Sequence, residues 1–296
     1  MSYRELFVSP SPVFGGSQEA YEEADYVLFG VPYDFSSTYR SGARFAPLAV
    51  REASLNIETY SFRTGIDIED VKLHDLGDVH VVGDVDETLR RVELVTKDVL
   101  SSGKMPVAIG GEHTITLGAM RGVARNAAVV SFDAHLDMRD EYMGRSLCHT
   151  TFMRRLDEQV KPEKILEIGT RAVCKEELDY ARKASIEFLT VQQIRKAGIK
   201  NIVKKIHDFL GDSERTYLTI DMDVLDPAFA PAVQNPEAEG LYMDAFLDIL
   251  CEVCDRRIVA FDLVEVAPHY DQGITAIQAA RIIFEVLCHV ERARKN

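Results

Sequence analysis

Two short stretches of the chain carry groups suited to binding hard divalent cations: Asp133-Ala134-His135-Leu136-Asp137 and Asp221-Met222-Asp223. Each closes an apolar run, 127–132 before the first and 216–220 before the second, of the kind that forms a strand buried on both faces. Side chains two apart on an extended segment point the same way, so each cluster aims its ligands to one side. Two such strands in one parallel sheet would place both clusters beyond its carboxyl edge, where open α/β sheets bind ligands. Gly110-Gly111-Glu112-His113, at a strand-to-helix turn, brings a second imidazole to that edge, its glycines read as permitting a sharp bend. The candidate set is His113, Asp133, His135, Asp137, Asp221 and Asp223. Any one of these aspartates alone reads as a helix cap or a solvated charge; together they read as a site for two ions. Carboxylates and imidazoles in this proportion suit Mn²⁺ better than a structural zinc, which takes thiolates in a closed tetrahedron.

The elements that must position these groups alternate along the chain. Strands are expected at 26–31, 105–109, 127–132, 165–169, 187–189, 216–220 and 258–264. Helices are expected at 47–54, opened by Pro47, at 87–102, ended by Gly103, at 114–121, from about 150, and at 275–294. A polar loop spans 139–146. Strand–helix alternation predicts an α/β fold, a mostly parallel sheet with helices on both faces. No linker or composition break divides the 296 residues, so residues 1–296 read as a single domain.

A formal charge of −14 is the wrong sign for a surface that tracks nucleic acid, and a negative field helps gather a cationic substrate. No stretch reaches the roughly 18 apolar residues of a membrane span, and Met1-Ser2-Tyr3-Arg4-Glu5-Leu6 leads into no signal-peptide core. The expectation is a cytoplasmic protein. Cys148, Cys174, Cys251, Cys254 and Cys288 form no disulfide framework, and Cys251 and Cys254 read as packing on an amphipathic helix rather than a zinc or redox pair.

These motifs, with Ser131-Phe132 before the first cluster and Val224-Leu225-Asp226-Pro227 after the second, resemble in order and spacing the signatures of the ureohydrolases, the arginase and agmatinase family. The segments 41–54 and 261–271 extend the resemblance over nearly the whole chain, and Glu265-Val266-Ala267-Pro268-His269-Tyr270-Asp271 is more like agmatinases than arginases. The resemblance implies an arginase-like three-layer αβα fold around a mostly parallel sheet of about eight strands. It also implies a hydrolase with two Mn²⁺ ions per subunit that releases urea from a guanidine, and a homo-oligomer, trimer or hexamer. His113 and Asp137 would bind one ion, His135 and Asp223 the other, with Asp133 and Asp221 bridging. Two ions roughly 3.5 to 4 Å apart can hold a water and lower its pKa, giving the strong nucleophile that a resonance-stabilised guanidinium requires.

Three residues are the catalytic candidates: His149, Glu265 and the ligand Asp137. Glu265 ends the apolar run 258–264 and can receive a guanidinium through two parallel N–H bonds. Asp262, nearby, is expected to orient its neighbours rather than touch substrate. His149 occupies the family's place for a histidine that gives a proton to the departing amine, so it and Glu265 are also the substrate-binding candidates. The remaining histidines, His74, His80, His207, His269 and His289, read as surface or packing residues.

Two positions depart from the family pattern. Thr150 replaces a glycine or alanine, and 230–237 replaces a Gly-Thr-Gly-Thr-Pro turn, so that Gln234 either positions Glu265 through its side-chain amide or reshapes the pocket. Asp140 and Glu141 could attract an amine tail, and Arg145 a carboxylate. Agmatine, cleaved to putrescine and urea, is the first choice of substrate, followed by aminopropylagmatine, guanidinobutyrate and arginine. Two other classes stay open, a one-zinc deacetylase of related fold and a non-catalytic scaffold. No nucleic acid or membrane partner is expected.

Overall fold

The computed structural model describes residues 2–9, 12–16, 18–123 and 126–295; Met1, where the leader reading begins, lies outside them. Among the described residues eleven strands are formed: β1 (Val8–Ser9), β2 (Tyr26–Val31), β3 (Tyr60–Ser61), β4 (Ile66–Asp67), β5 (Leu73–Val79), β6 (Met105–Gly110), β7 (Ala128–Phe132), β8 (Ile165–Thr170), β9 (Glu187–Thr190), β10 (Thr216–Asp221) and β11 (Ile258–Val264). The helices are α1 (Tyr3–Phe7), α2 (Ala46–Ser54), α3 (Val85–Ser101), α4 (Ile115–Val123), α5 (Phe152–Arg155), α6 (Lys175–Ala184), α7 (Val191–Ala197), α8 (Ile199–Leu210), α9 (Met243–Val253) and α10 (Ile274–Lys295). All the strands read from the sequence are present.

The central sheet runs β1-β5-β2-β6-β11-β10-β7-β8-β9, and the last eight of these are parallel. β3 and β4 form a separate antiparallel ribbon. β2, β6, β7, β8 and β10 are buried at every residue, which is why they appear in the sequence as mainly apolar runs, although β8 also buries Glu167. One face of the sheet packs on α2, α7, α8, α9 and α10 and the other on α3, α4, α5 and α6, giving the expected three layers. Along β10, Leu218 and Ile220 enter the first core and Tyr217 the second, as the two-residue period of a strand requires.

The sheet order positions the chemistry. β6, β11, β10 and β7 are consecutive neighbours, and all point the same way. Their carboxyl ends lead into His113, Glu265, Asp221 and Asp133 respectively, so four loops converge on one edge.

β1, β5 and the ribbon were not anticipated. β5 reads Leu-His-Asp-Leu-Gly-Asp-Val and buries alternate residues, Asp75 among them, which hides it from a search for apolar runs. Asp75 is buried because Arg51 of α2 is buried with it. Arg51 donates to both oxygens of Asp75 (2.7 and 2.9 Å), to Asp78 Oδ1 (2.6 Å) and to the Gly77 carbonyl (3.0 Å). Replacing Arg51 with methionine leaves Asp75 buried without its cation, which costs about 3 to 5 kcal/mol. Urea denaturation should register that loss as a lower midpoint with an unchanged slope.

Candidate metal centre

Asp133 is the hinge of the site. It follows β7, is buried, and turns its two oxygens to different histidines: Oδ2 lies 3.0 Å from His113 Nδ1 and Oδ1 lies 3.5 Å from His135 Nδ1. His113 Nδ1 is also 3.2 Å from Asp221 Oδ2 and 3.7 Å from Asp137 Oδ2. His135 Nδ1 is 3.1 Å from Asp223 Oδ2. Two groups able to hold a cation result, His113 with Asp133 and Asp221, and Asp133 with His135 and Asp223. All six ligand candidates are therefore brought together. Asp221 resembles Asp133 in that its Oδ1 accepts from the backbone N–H two residues on, Asp223 at 2.8 Å against His135 at 2.6 Å for Asp133.

Hydrogen bonds below the cluster fix which nitrogen of His113 faces it. The Thr219 hydroxyl donates to Asp262 Oδ1 (2.5 Å) and so accepts from His113 Nε2–H (2.8 Å). Asp262 also accepts from Thr116, whose backbone N–H donates to the His113 carbonyl at 3.1 Å, and from Tyr217. It orients its neighbours, as expected. Nδ1, the nitrogen free of a proton in the neutral ring, is buried and makes no hydrogen bond, although carboxylates surround it. Lone pairs facing lone pairs in a dry pocket are stable only around a cation or a proton.

The titration of the cluster expresses the same surplus of anions. Burial, then the neighbouring carboxylates, pushes Asp137 and Asp221 well above the usual carboxylate range. Burial works against the ionised form of Asp133 too, but the bonds and charges of His113 and His135 outweigh it and hold the group low. Burial likewise opposes protonation of His113, yet Asp133 and Asp137 lift it to about 9. A divalent ion would replace the protons that these shifts demand.

Glu265 joins the cluster through His113. Its Oε1 accepts from the His113 backbone N–H at 2.6 Å, and its own N–H donates to the Gly111 carbonyl at 2.9 Å. The side chain is buried, and burial together with Asp221 raises its pKa well above the ordinary range. Glu265 and Asp137 both have left-handed backbone, with φ of 71° and 51°. The turn after β6 is tight for lack of space: a Cβ on Gly111 would fall 1.8 Å from the Tyr33 carbonyl oxygen. Neither Gly110 nor Gly111 has positive φ, so the expected role in bending is replaced by one in close packing.

His149 is buried and reaches the cluster indirectly. Its backbone N–H donates to Ser36 Oγ at 3.0 Å, Ser36 donates to Glu112, and Glu112 precedes His113. Nε2 meets Thr38 Oγ1 at 3.1 Å. Burial, and then the charges of His135 and His113, push its pKa down to about 4. Glu112 lies next to the ligand candidate His113 in the sequence without a signal of its own, and Ser36 and Thr38 have none.

A cavity of about 450 Å³ opens onto His135 and Asp137, walled by Thr38, Arg139, Tyr142, Thr150, Arg171, Asn235 and Glu237. Asp140 and Glu141 do not line it; Asp140 pairs with Arg155 (2.6 Å) and Arg154 (3.2 Å), and Arg145 donates to the Phe35 carbonyl. The acid at the mouth is instead Glu237, whose Oε1 is 3.9 Å from His135 Nε2. Arg171 is half-enclosed below it and donates to the carbonyls of Asp223 (2.7 Å) and Glu237 (2.8 Å), tying one ligand loop to the rim. Gln234 sends its side-chain amide to Ser37 and to the Arg40 carbonyl, while its backbone N–H donates to the Glu265 carbonyl at 3.3 Å. Of the two roles considered for Gln234, positioning Glu265 thus runs through the main chain.

The arginase family model matches residues 24–289. The chain belongs to the arginase family. An agmatinase of Bacillus anthracis is 33% identical over 282 residues, 93% of this chain and 95% of that one. The solved agmatine ureohydrolase of Thermoplasma volcanium superposes with a TM-score of 0.88 at 36% identity, covering 94% of this chain and 93% of its own. Proclavaminate amidino hydrolase from Streptomyces clavuligerus gives the same TM-score, 0.88, at 31% identity, covering 97% and 99%. This arginase-family member is a ureohydrolase most like the agmatinases, and a hydrolase of amidino carbon–nitrogen bonds. Among its described residues no helix is long and apolar enough to cross a membrane.

Proposed function

We propose that this ureohydrolase hydrolyses agmatine to putrescine and urea with two Mn²⁺ ions, one held by His113 and Asp137, the other by His135 and Asp223, and both by Asp133 and Asp221. The unpartnered Nδ1 of His113 among buried carboxylates is the observation that supports ions in this place. When bound, a pair of divalent ions would lower the pKa of a water and supply the nucleophile at neutral pH.

The other steps belong to side chains. The observation that carries the guanidine reading is that His113 gives its ring to the ligand cluster and its N–H to Glu265. A carboxylate held beside the ligand cluster in this way would pair with a guanidinium and keep its carbon close to that cluster. His149, neutral under the local charges, takes up a proton and delivers it to the departing amine, which cannot leave as an anion. Glu237 at the mouth provides the negative partner for a distal ammonium, which favours agmatine and its aminopropyl derivative over guanidinobutyrate and arginine.

Urea release by Mn²⁺-loaded protein should therefore be fastest with agmatine or aminopropylagmatine and slow with arginine. Urea from arginine alone would overturn the substrate assignment, and urea from none of the four guanidines would leave the scaffold reading in its place. His149→Ala should slow turnover on the order of 100-fold with both ions still present by metal analysis. An unchanged rate would move the proton donor elsewhere.

A further inference from the structure

A second constellation of ligand-type side chains lies on the far side of the molecule. Cys251 near the end of α9 and Glu285 and His289 on α10 bring a sulfur, a carboxylate oxygen and a ring nitrogen within 4.8 Å of one another. Glu285 and His289 are four residues apart on one helix, so their side chains stand one above the other on the same face. α9 leads by a short connection into the start of β11, which places Cys251 toward the amino edge of the sheet, away from the metal centre at the carboxyl edge.

His289 is what distinguishes this cluster from ordinary helix packing. It is 95% buried, being 5% exposed, yet its Nε2 makes no hydrogen bond and lies 3.9 Å from Glu285 Oε2, too far for one. Burying an imidazole nitrogen unpaired is costly unless something occupies the gap. Glu285 Oε2 is held by the Ser61 hydroxyl at 2.8 Å, which fixes the carboxylate rather than satisfying the histidine. A cavity of about 670 Å³ opens beside Cys251 and His289, leaving room for water. Arg63, which lines the same cavity, is paired with Asp248 at 2.6 Å.

We propose that Cys251, Glu285 and His289 form a binding site for one thiophilic divalent cation, Zn²⁺, with water in the fourth position, clamping α9 to α10. Three protein ligands of sulfur, nitrogen and oxygen type plus a water make a set that Zn²⁺ accepts and Mn²⁺, which favours oxygen, does not. Thiolate and carboxylate together balance the ion's charge. Burial holds the Cys251 thiol up, at about 12, so binding transfers its proton to solvent; burial pushes His289 down to about 4, so the ring is already neutral. No electron moves.

The test uses the full chain already loaded with Mn²⁺ and adds Co²⁺, whose bond to a thiolate gives a near-ultraviolet charge-transfer band. No cysteine is among the six ligands of the Mn²⁺ centre, so exchange there cannot produce that band. The wild-type protein should show the band, Cys254→Ser should keep it, and Cys251→Ser should lose it while retaining urea release and its circular dichroism spectrum. His289→Gln should weaken Zn²⁺ binding on the order of 100-fold by competition with a chelating dye. No band in the wild type, or an equal band in Cys251→Ser, overturns the proposal, as does unchanged Zn²⁺ affinity in His289→Gln. A Cys251→Ser variant that failed to fold would leave the His289→Gln affinity to decide.

Discussion

Replacing Asp133 with alanine should abolish urea release, by about 10⁴-fold or more, and strip the protein of both ions. The expectation follows from how its two oxygens are shared. One faces His113 and the other His135, so a single truncation removes a ligand from each half of the site. Asp133 Oδ1 also accepts from the His135 backbone N–H at 2.6 Å, which ties down the segment carrying His135 and Asp137. Loss of 10⁴ in rate corresponds to about 5.4 kcal/mol of transition-state stabilisation, more than any single hydrogen bond supplies. Metal analysis and a urea assay on the same sample decide it. If the variant kept substantial activity, or kept one ion fully bound, the shared-ligand arrangement would be wrong.

Glu265→Gln should have a different signature: both ions retained, and kcat/KM for agmatine lower by about 10² to 10³. The amide keeps the shape of the carboxylate and an oxygen that can accept from His113 N–H, so the local backbone should hold. What it lacks is the negative charge that the proposed function sets against a guanidinium, and truncating one side of a buried charge pair costs about 2 to 5 kcal/mol. The two variants separate cleanly, because one removes metal and the other only the substrate's partner. Loss of metal from Glu265→Gln would instead make Glu265 part of the ligand shell.

The parts of this molecule that were legible in its sequence are those where one physical signal dominates. Strands buried on both faces are mainly apolar, so β7 and β10 were visible, and the charged residues at their ends stood out because nothing apolar explained them. β5 was not visible, because Asp75 and Asp78 look like exposed charge until Arg51, in another element, is placed against them. Within the site, the two-residue period of a strand does not set the ligands, because β7 ends at Phe132, Asp137 has left-handed backbone and Met222–Val224 form a tight helical turn, and only packing shows that Ser36, Thr38 and Glu112 support His149. The loop around Asp140 illustrates the converse error. Its acids looked available to a substrate, and Arg154 and Arg155 bind one of them on the outside.

The left-handed backbone at Asp137 and Glu265 has an implication for how this sequence could drift. For residues other than glycine that conformation costs about 1 to 2 kcal/mol, and glycine would adopt it freely. A population selected only for thermal endurance would thus find gains by putting glycine at 137 and 265, and in doing so would discard a candidate ligand and the candidate guanidinium anchor. Under the proposed roles the two acids act as a ratchet, kept against that gain in endurance only by selection for the reaction.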